Sequence, residues 1–283
     1  MENQNQSNSP AGNDLFAVVN NYFLLFFGIS CVISSLFIQS LFVSVGQYRA
    51  GIAVSSLFGI VLPVALLMRK FPGGFTGQIR LTRPRIHRLI LVIVASCAAV
   101  VLVDQIYVIN QHFTPVPEEY AEQIRELKPG TAWQLIVTAI GLCILVPVAE
   151  EMVFRGLIQR IFSRNMLPIV AVLLSGALFG AVHLNAHLLI SITCFGWFLG
   201  FLFESTGNLV YSMVAHAIFN TVALVQLTTD ASVESGNLPV YLRDVWMVVV
   251  ALVLFIFLVR KIHEGGSEAQ PLPETAPAEP VAD

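Results

Sequence analysis

Residues 15–48 form a run of 34 positions without a single charged side chain. About 20 consecutive apolar residues are enough for one helix to cross the roughly 30 Å hydrocarbon core of a bilayer. Charged residues make up 12% of the whole chain, whereas soluble domains average about 25%. A composition this apolar excludes a soluble enzyme, and no basic footprint indicates nucleic acid as a partner. We therefore predict an all-α, polytopic bundle of membrane-spanning helices in contact with the lipid bilayer.

Eight apolar runs follow one another along the chain, and we expect each to form a transmembrane helix. A polar segment is expected at 1–14, the bundle at 15–262, and a disordered tail rich in acids, Pro and Ala at 263–283. The runs are 15–48, 50–68, 89–103, 131–162, 166–184, 188–203, 209–227 and 245–259.

The Lys and Arg residues indicate how the bundle is oriented, because short cytoplasmic loops are enriched in them. The loop at 69–88 holds six Lys or Arg residues and no acid, so we place it in the cytoplasm. Counting outward from it, ten Lys or Arg residues fall inside and four outside. The pattern predicts that both termini are cytoplasmic and that the protein resides in the cytoplasmic membrane.

Charged residues interrupt the fourth run in the sequence Glu150-Glu151-Met152-Val153-Phe154-Arg155. A charge at the centre of a membrane helix costs at least about 2.5 kcal/mol, so such residues are functional candidates. Glu151 and Arg155 have the i, i+4 spacing of an intrahelical ion pair. Glu150 is turned about 100° away from Glu151. It therefore needs a partner on another helix, or the three charges simply mark a helix end at the membrane interface.

Two further runs carry polar pairs at one-turn spacing. The fifth run has Phe179 and His183, with His187 one turn further on, and His183 and His187 have the spacing of two metal ligands on one helix face. The seventh run has His216 and Asn220. Hydrogen bonds between helices are the simpler explanation for each pair taken alone. Together, a carboxylate, two imidazoles and an amide are the groups that a hydrolase uses to activate water and hold an oxyanion.

The three motifs, on three apolar helices and in this order, resemble the CPBP family of intramembrane proteases. That family includes the Ras-converting CAAX prenyl endopeptidases and bacterial proteins of the abortive-infection and bacteriocin self-immunity type. The resemblance covers about residues 131–228, which we expect to be the protease-like core. It also includes Phe154-Arg155-Gly156 after the acids and Thr206-Gly207-Asn208-Leu209 before the His216 helix.

The resemblance implies a role for each motif residue. Glu150 would be the general base that activates water, assisted by His183. His216 and Asn220 would stabilise the oxyanion. The supporting residues would be Phe179 and the Glu151–Arg155 pair, which would hold the fourth helix in place. The substrate would be a membrane-associated protein or peptide, and a prenylated or CAAX-like substrate is one alternative. The sequence identifies neither the substrate nor the oligomeric state.

The chemistry and the function class both have alternatives at this point. No cofactor is favoured, but Glu150, His183 and His216 could also hold a divalent metal such as zinc. Asn220, as a second oxyanion donor, favours a glutamate base acting without metal. The protein could instead be a non-catalytic membrane scaffold or immunity factor, or a proton-coupled transporter, because buried Glu and His also build proton relays.

Overall fold

The computed structural model describes residues 15–71, 74–118, 122, 124, 127–229 and 245–266. Within these ranges the chain is helical and contains no strand, so the predicted all-α bundle is confirmed. The expected segment 1–14 and residues 267–283 of the expected tail lie outside the described residues. The helices are α1 (Leu15–Val18), α2 (Asn21–Ser44), α3 (Tyr48–Met68), α4 (Gly74–Gln78), α5 (Ile86–Phe113), α6 (Ala132–Asn165), α7 (Pro168–Ala181), α8 (Leu189–Thr206), α9 (Leu209–Thr228) and α10 (Val245–Glu264).

Six of these helices are long and apolar enough to cross a membrane, among the residues described: α2, α3, α5, α6, α8 and α9. The predicted total of eight is not confirmed. Helix α7 is apolar but has only 14 residues, which span about 21 Å and fall short of the roughly 30 Å hydrocarbon core. Helix α10 has 20 residues with Lys261 and His263 in its last turn.

The turn between α8 and α9 follows directly from its sequence. Gly207 ends α8 with φ +64°, a left-handed conformation that glycine adopts without steric cost. Asn208 then caps α9 by accepting a hydrogen bond from Val210 N at 3.1 Å, as N-cap asparagines do. The Asn208 amide donates to Thr82 O at 3.2 Å, which ties this end of α9 to the loop before α5. The start of the His216 helix is thereby fixed.

Helices α7 and α8 approach each other closely because glycines face the contact. Gly176 and Gly180 are four residues apart on α7, as are Gly196 and Gly200 on α8. Small residues at this spacing let membrane helices pack backbone against backbone. A Cβ at Gly176 would lie only 2.8 Å from Trp197 N. This close contact determines where the Phe179 side of α7 meets α8.

Replacing Gly176 with Ala should destabilise the protein, because the new methyl group meets main-chain atoms of α8 that cannot move aside. We expect a loss of about 1–3 kcal/mol, the usual cost of overpacking, measured as a lower unfolding temperature in detergent. Gly77→Ala is the matched control, since nothing lies within 4 Å of a Cβ at that position. Equal unfolding of the two variants would contradict the packing described for α7 and α8.

The orientation of the bundle stays a prediction, and cysteine labelling can test it. In a variant lacking Cys31, Cys97, Cys143 and Cys194, a Thr76→Cys substitution places an accessible thiol in α4. A membrane-impermeant maleimide should label it only after the cells are permeabilised. Pro117→Cys, in the exposed loop after α5, should react in intact cells. The reverse pattern would invert the assignment made from the Lys and Arg bias.

Candidate active site

The Glu151–Arg155 ion pair expected from the spacing is present at the centre of α6. Arg155 Nη1 donates to Glu151 Oε1 at 2.8 Å, and both side chains are fully buried. A second guanidinium nitrogen, Nη2, donates to Gly196 O at 3.0 Å. The guanidinium carbon lies 4.6 Å from the centre of the Phe179 ring, within the range of a cation–π contact. Arg155 therefore joins α6 to both α7 and α8.

His216 connects the two glutamates of α6. Its Nδ1 lies 3.0 Å from Glu151 Oε1, and its Nε2 lies 3.7 Å from Glu150 Oε2. A carboxylate can only accept, so Nδ1 carries the proton in the hydrogen bond to Glu151. The other ring nitrogen, Nε2, is then the one that faces Glu150. This arrangement resembles the carboxylate–imidazole pairs that orient a catalytic histidine in other hydrolases.

Glu150 differs from its neighbour in exposure and in bonding. Its side chain is 24% exposed, whereas that of Glu151 is fully buried. Among the described residues, no donor makes a hydrogen bond to Glu150 Oε2. The two adjacent carboxylates therefore occupy separate environments on separate faces of α6, as the 100° rotation between neighbouring residues predicts. Of the two carboxylates, Glu150 is the one with an exposed fraction, although its Oε2 oxygen is itself buried.

The Phe179 ring brings the two histidines of the motifs to one place. It contacts the His183 ring with centres 5.0 Å apart and the His216 ring with centres 5.7 Å apart, both nearly perpendicular. Such edge-to-face geometry is favourable for aromatic pairs. Phe179 itself is buried. The Phe179 side chain thus contacts both imidazoles and also the Arg155 guanidinium.

His183 lies just beyond α7, which ends at Ala181, and its side chain is exposed. Its Nδ1 is 2.7 Å from Phe179 O. Since a carbonyl accepts, Nδ1 carries a proton and Nε2 is left to act on a water or substrate. The i, i+4 spacing of His183 and His187 does not put them on one helix face, because α7 has ended at Ala181 and the chain turns between them. His187 Nδ1 instead contacts Thr114 O at 3.0 Å.

Asn220 reaches α6 through a local change of helical register. Residues Gly141–Leu145 form a π-helical segment in which Val146 N bonds to Gly141 O. In a π-helix the carbonyl of residue i accepts from the N–H of residue i+5. The expected donor to Leu142 O is therefore residue 147, which is a proline and has no N–H to donate. Asn220 Nδ2 fills this position and donates to Leu142 O at 2.8 Å. One N–H of the amide is thus occupied by the backbone, and the second N–H is left as a donor.

A second π-helical segment, Phe154–Gln159, follows the two glutamates and contains Arg155. Such segments occur often at functional sites, because they re-aim side chains within an otherwise regular helix. Helical periodicity did not predict either of these two π-helical segments of α6.

The alternative metal set of Glu150, His183 and His216 is not assembled in this geometry. Among the residues that the structure describes, no group of three His, Cys, Asp or Glu side chains is placed to hold a metal ion. His183 and His216 nevertheless both contact the Phe179 ring, and His216 Nε2 lies 3.7 Å from Glu150 Oε2.

The sequence did not predict that α8 takes part in the site, nor that Glu151 bonds to His216. Helix α8 supplies Gly196 O to Arg155 and places the Phe195 ring 5.6 Å from that of His216. An apolar residue in an apolar helix carries no distinguishing signal. The Glu151–His216 contact joins residues 65 positions apart, and helical periodicity cannot predict contacts at that separation.

Comparisons with known proteins agree with the motif residues. Residues 132–222 match the family model described as type II CAAX prenyl endopeptidase Rce1-like. In Bacillus subtilis (strain 168), the "Uncharacterized protein YpbD" is 35% identical over 92 residues, which are 31% of this chain and 44% of YpbD. The "Putative membrane peptidase YdiL" is 31% identical over 98 residues, which are 32% of this chain and 40% of YdiL.

These matches cover less than half of either curated relative. No solved structure is significantly similar to the chain. The matched region 132–222 nevertheless contains all three motifs, from Glu150 on α6 to Asn220 on α9. The predicted resemblance to the CPBP intramembrane proteases is therefore confirmed. Residues 132–222 are similar to the Rce1-like type II CAAX prenyl endopeptidases.

Proposed function

We propose that the protein is an intramembrane endopeptidase that hydrolyses a peptide bond with a water molecule activated by Glu150. The observation that carries this proposal is the position of the Glu150 carboxylate. Its side chain is 24% exposed, while its Oε2 oxygen is buried, has no hydrogen bond among the described residues, and lies 3.7 Å from His216 Nε2. A base must be reachable by water and must not already be occupied by another donor.

In the proposed reaction, Glu150 takes a proton from water as the oxygen attacks the carbonyl carbon of the scissile bond. His183 assists by holding that water through Nε2. The carbonyl oxygen becomes an oxyanion, which is stabilised by the second amide N–H of Asn220 and by His216, which in its doubly protonated form donates through Nε2–H while Nδ1–H stays bonded to Glu151. Glu150 then returns the proton to the leaving nitrogen, and the peptide bond breaks to give a carboxylate and an amine.

Glu151 and Arg155 act on the reaction through other residues. Glu151 accepts from both Arg155 and His216 on the same oxygen, Oε1. Because that bond fixes which imidazole nitrogen faces Glu150, Glu151 is a positioning residue. Arg155 neutralises the buried Glu151 and anchors it to α8 through Gly196 O.

The substrate is a membrane-associated protein or peptide. This assignment is supported by the membrane-spanning helices that carry the site and by the similarity to the CAAX prenyl endopeptidase family and to the putative membrane peptidase YdiL. A prenylated or CAAX-like substrate follows from the family description alone.

Hydrolysis can be tested directly with the purified protein in proteoliposomes. The protein is incubated with a mixture of membrane-associated peptides, including farnesylated CAAX peptides, in buffer made with H₂¹⁸O. Mass spectrometry should find new C-termini that carry one ¹⁸O atom each, because the attacking oxygen comes from water. Intact peptides, or cleavage without ¹⁸O, would refute a hydrolytic function. Electrogenic or pH-driven flux in the same vesicles would favour the transporter.

The requirement for metal can be tested on the same preparation. We expect most of the activity to remain after treatment with a membrane-permeant chelator and removal of bound ions verified by elemental analysis. The reason is that a glutamate base and two oxyanion donors supply the needed chemistry without a Lewis acid. Stoichiometric zinc, with activity lost on stripping and restored by zinc alone, would overturn this expectation. Glu150, His183 and His216 would then be assigned as zinc ligands.

A further inference from the structure

Helix α8 contributes no residue to the three motifs, yet two adjacent residues on it contact motif side chains. The carbonyl oxygen of Gly196 accepts from Arg155 Nη2 at 3.0 Å. The neighbouring Phe195 ring lies 5.6 Å from the His216 ring, with an angle of 82° between the planes. The same turn of α8 therefore contacts both partners of Glu151.

Phe195 is itself held firmly in place. Its side chain is buried, and its ring stacks on Phe219 with centres 4.1 Å apart and planes inclined by 20°. Phe219 is three residues after His216 and so lies on the same face of α9. Phe195 therefore packs against His216 and against the next turn of the helix that carries it.

The hydrogen bond from His216 to Glu151 does not by itself determine where Nε2 is directed. A hydrogen bond tolerates a range of angles, so coupled rotations about χ1 and χ2 of His216 can still displace Nε2 while the bond at Nδ1 is kept. Contacts of the ring itself are needed to fix its plane. Two nearly perpendicular aromatic contacts do this, one from Phe179 and one from Phe195.

We infer that Phe195 is a positioning residue for His216, and that it holds the imidazole plane so that Nε2 faces Glu150. The inference rests on the proposed function to the extent that catalysis uses Nε2. Phe195 does not contact the substrate in this assignment. Its removal should therefore lower kcat without changing KM, because misplacing a catalytic group by about 1 Å can cost roughly 100-fold in rate.

The kinetic test compares two Phe→Leu substitutions on the same helix. Phe195→Leu should lower kcat by about 10- to 100-fold with KM unchanged, and Phe195→Tyr, which keeps the ring, should restore most of kcat. Phe203→Leu is the matched control, since Phe203 is as buried as Phe195 and lies two turns further along α8. It should lower the unfolding temperature to a similar extent and leave kcat unchanged. Equal kinetic effects at the two positions would overturn the inference.

A spectroscopic test needs no substrate and so separates this inference from the proposed function. In ¹⁵N-histidine-labelled protein in detergent, the His216 signals are identified by their loss in His216→Gln. They should show a protonated Nδ1 with a sharp resonance in the wild type and in Phe203→Leu. Phe195→Leu should broaden them. If the wild type has no peptidase activity but this difference is found, the positioning by Phe195 stands and the proposed function fails. If Phe195→Leu leaves the His216 signals unchanged, the inference is wrong.

Discussion

Replacing Glu150 with Gln is expected to lower the rate of peptide hydrolysis by roughly 10²- to 10⁴-fold, the usual contribution of a general base. The amide cannot take a proton from water at neutral pH. The fold should not suffer, because Glu150 is partly exposed and its Oε2 makes no hydrogen bond among the described residues. The substitution therefore separates chemistry from stability.

The measurement is the rate of cleavage in proteoliposomes together with the unfolding temperature in detergent. Glu204→Gln is the matched control, because Glu204 is a carboxylate on α8 that accepts from Gln159 and Ser163. That variant should keep wild-type activity. If Glu150→Gln retained activity comparable to that of Glu204→Gln, Glu150 would not be the base.

Replacing Glu151 with Gln should destabilise the protein by about 3–5 kcal/mol, the typical cost of removing one partner from a buried ion pair. The substitution removes the negative charge that neutralises Arg155, and both side chains are fully buried. It also weakens the hydrogen bond that orients His216. Stability and activity should therefore fall together, in contrast to the effect of Glu150→Gln.

Denaturant or thermal unfolding in detergent measures the loss of stability. A double variant, Glu151→Gln with Arg155→Met, removes both charges and should recover part of the stability, because no charge is then buried without a partner. Its activity should stay low, since the hydrogen bond from His216 to residue 151 stays weakened when the acceptor is an uncharged amide. Equal unfolding temperatures for Glu150→Gln and Glu151→Gln would contradict the separate roles given to the two glutamates.

The fold class was predictable because a helix that crosses a bilayer must be long and apolar, and the sequence contains several uncharged apolar runs of that length. Within the site, the Glu151–Arg155 pair and the separate face of Glu150 followed from helical geometry. The spacing of His183 and His187 would suit one helix face, but α7 ends at Ala181, before either residue. The periodicity of a sequence describes contacts within a helix and does not describe where that helix stops.

Contacts between helices were the part that sequence reasoning could not predict. The bond from Glu151 to His216 depends on how α6 and α9 pack, and the Phe195 contact depends on α8, which has no polar signal at that turn. Asn220 donates to Leu142 O because a π-helical segment and Pro147 leave that carbonyl free. These features arise from tertiary packing and from local irregularity of α6.

We propose that Glu150 is the general base for the hydrolysis of membrane-associated substrates. Comparative mass spectrometry of peptides released from membranes tests it most directly, in cells that produce equal amounts of the wild type or of Glu150→Gln. We expect wild-type cells to release a set of peptides with new termini. The same peptides should be absent from cells with Glu150→Gln and present in cells with Glu204→Gln. Identical peptide sets with a retained biological effect would contradict it and would favour a non-catalytic scaffold.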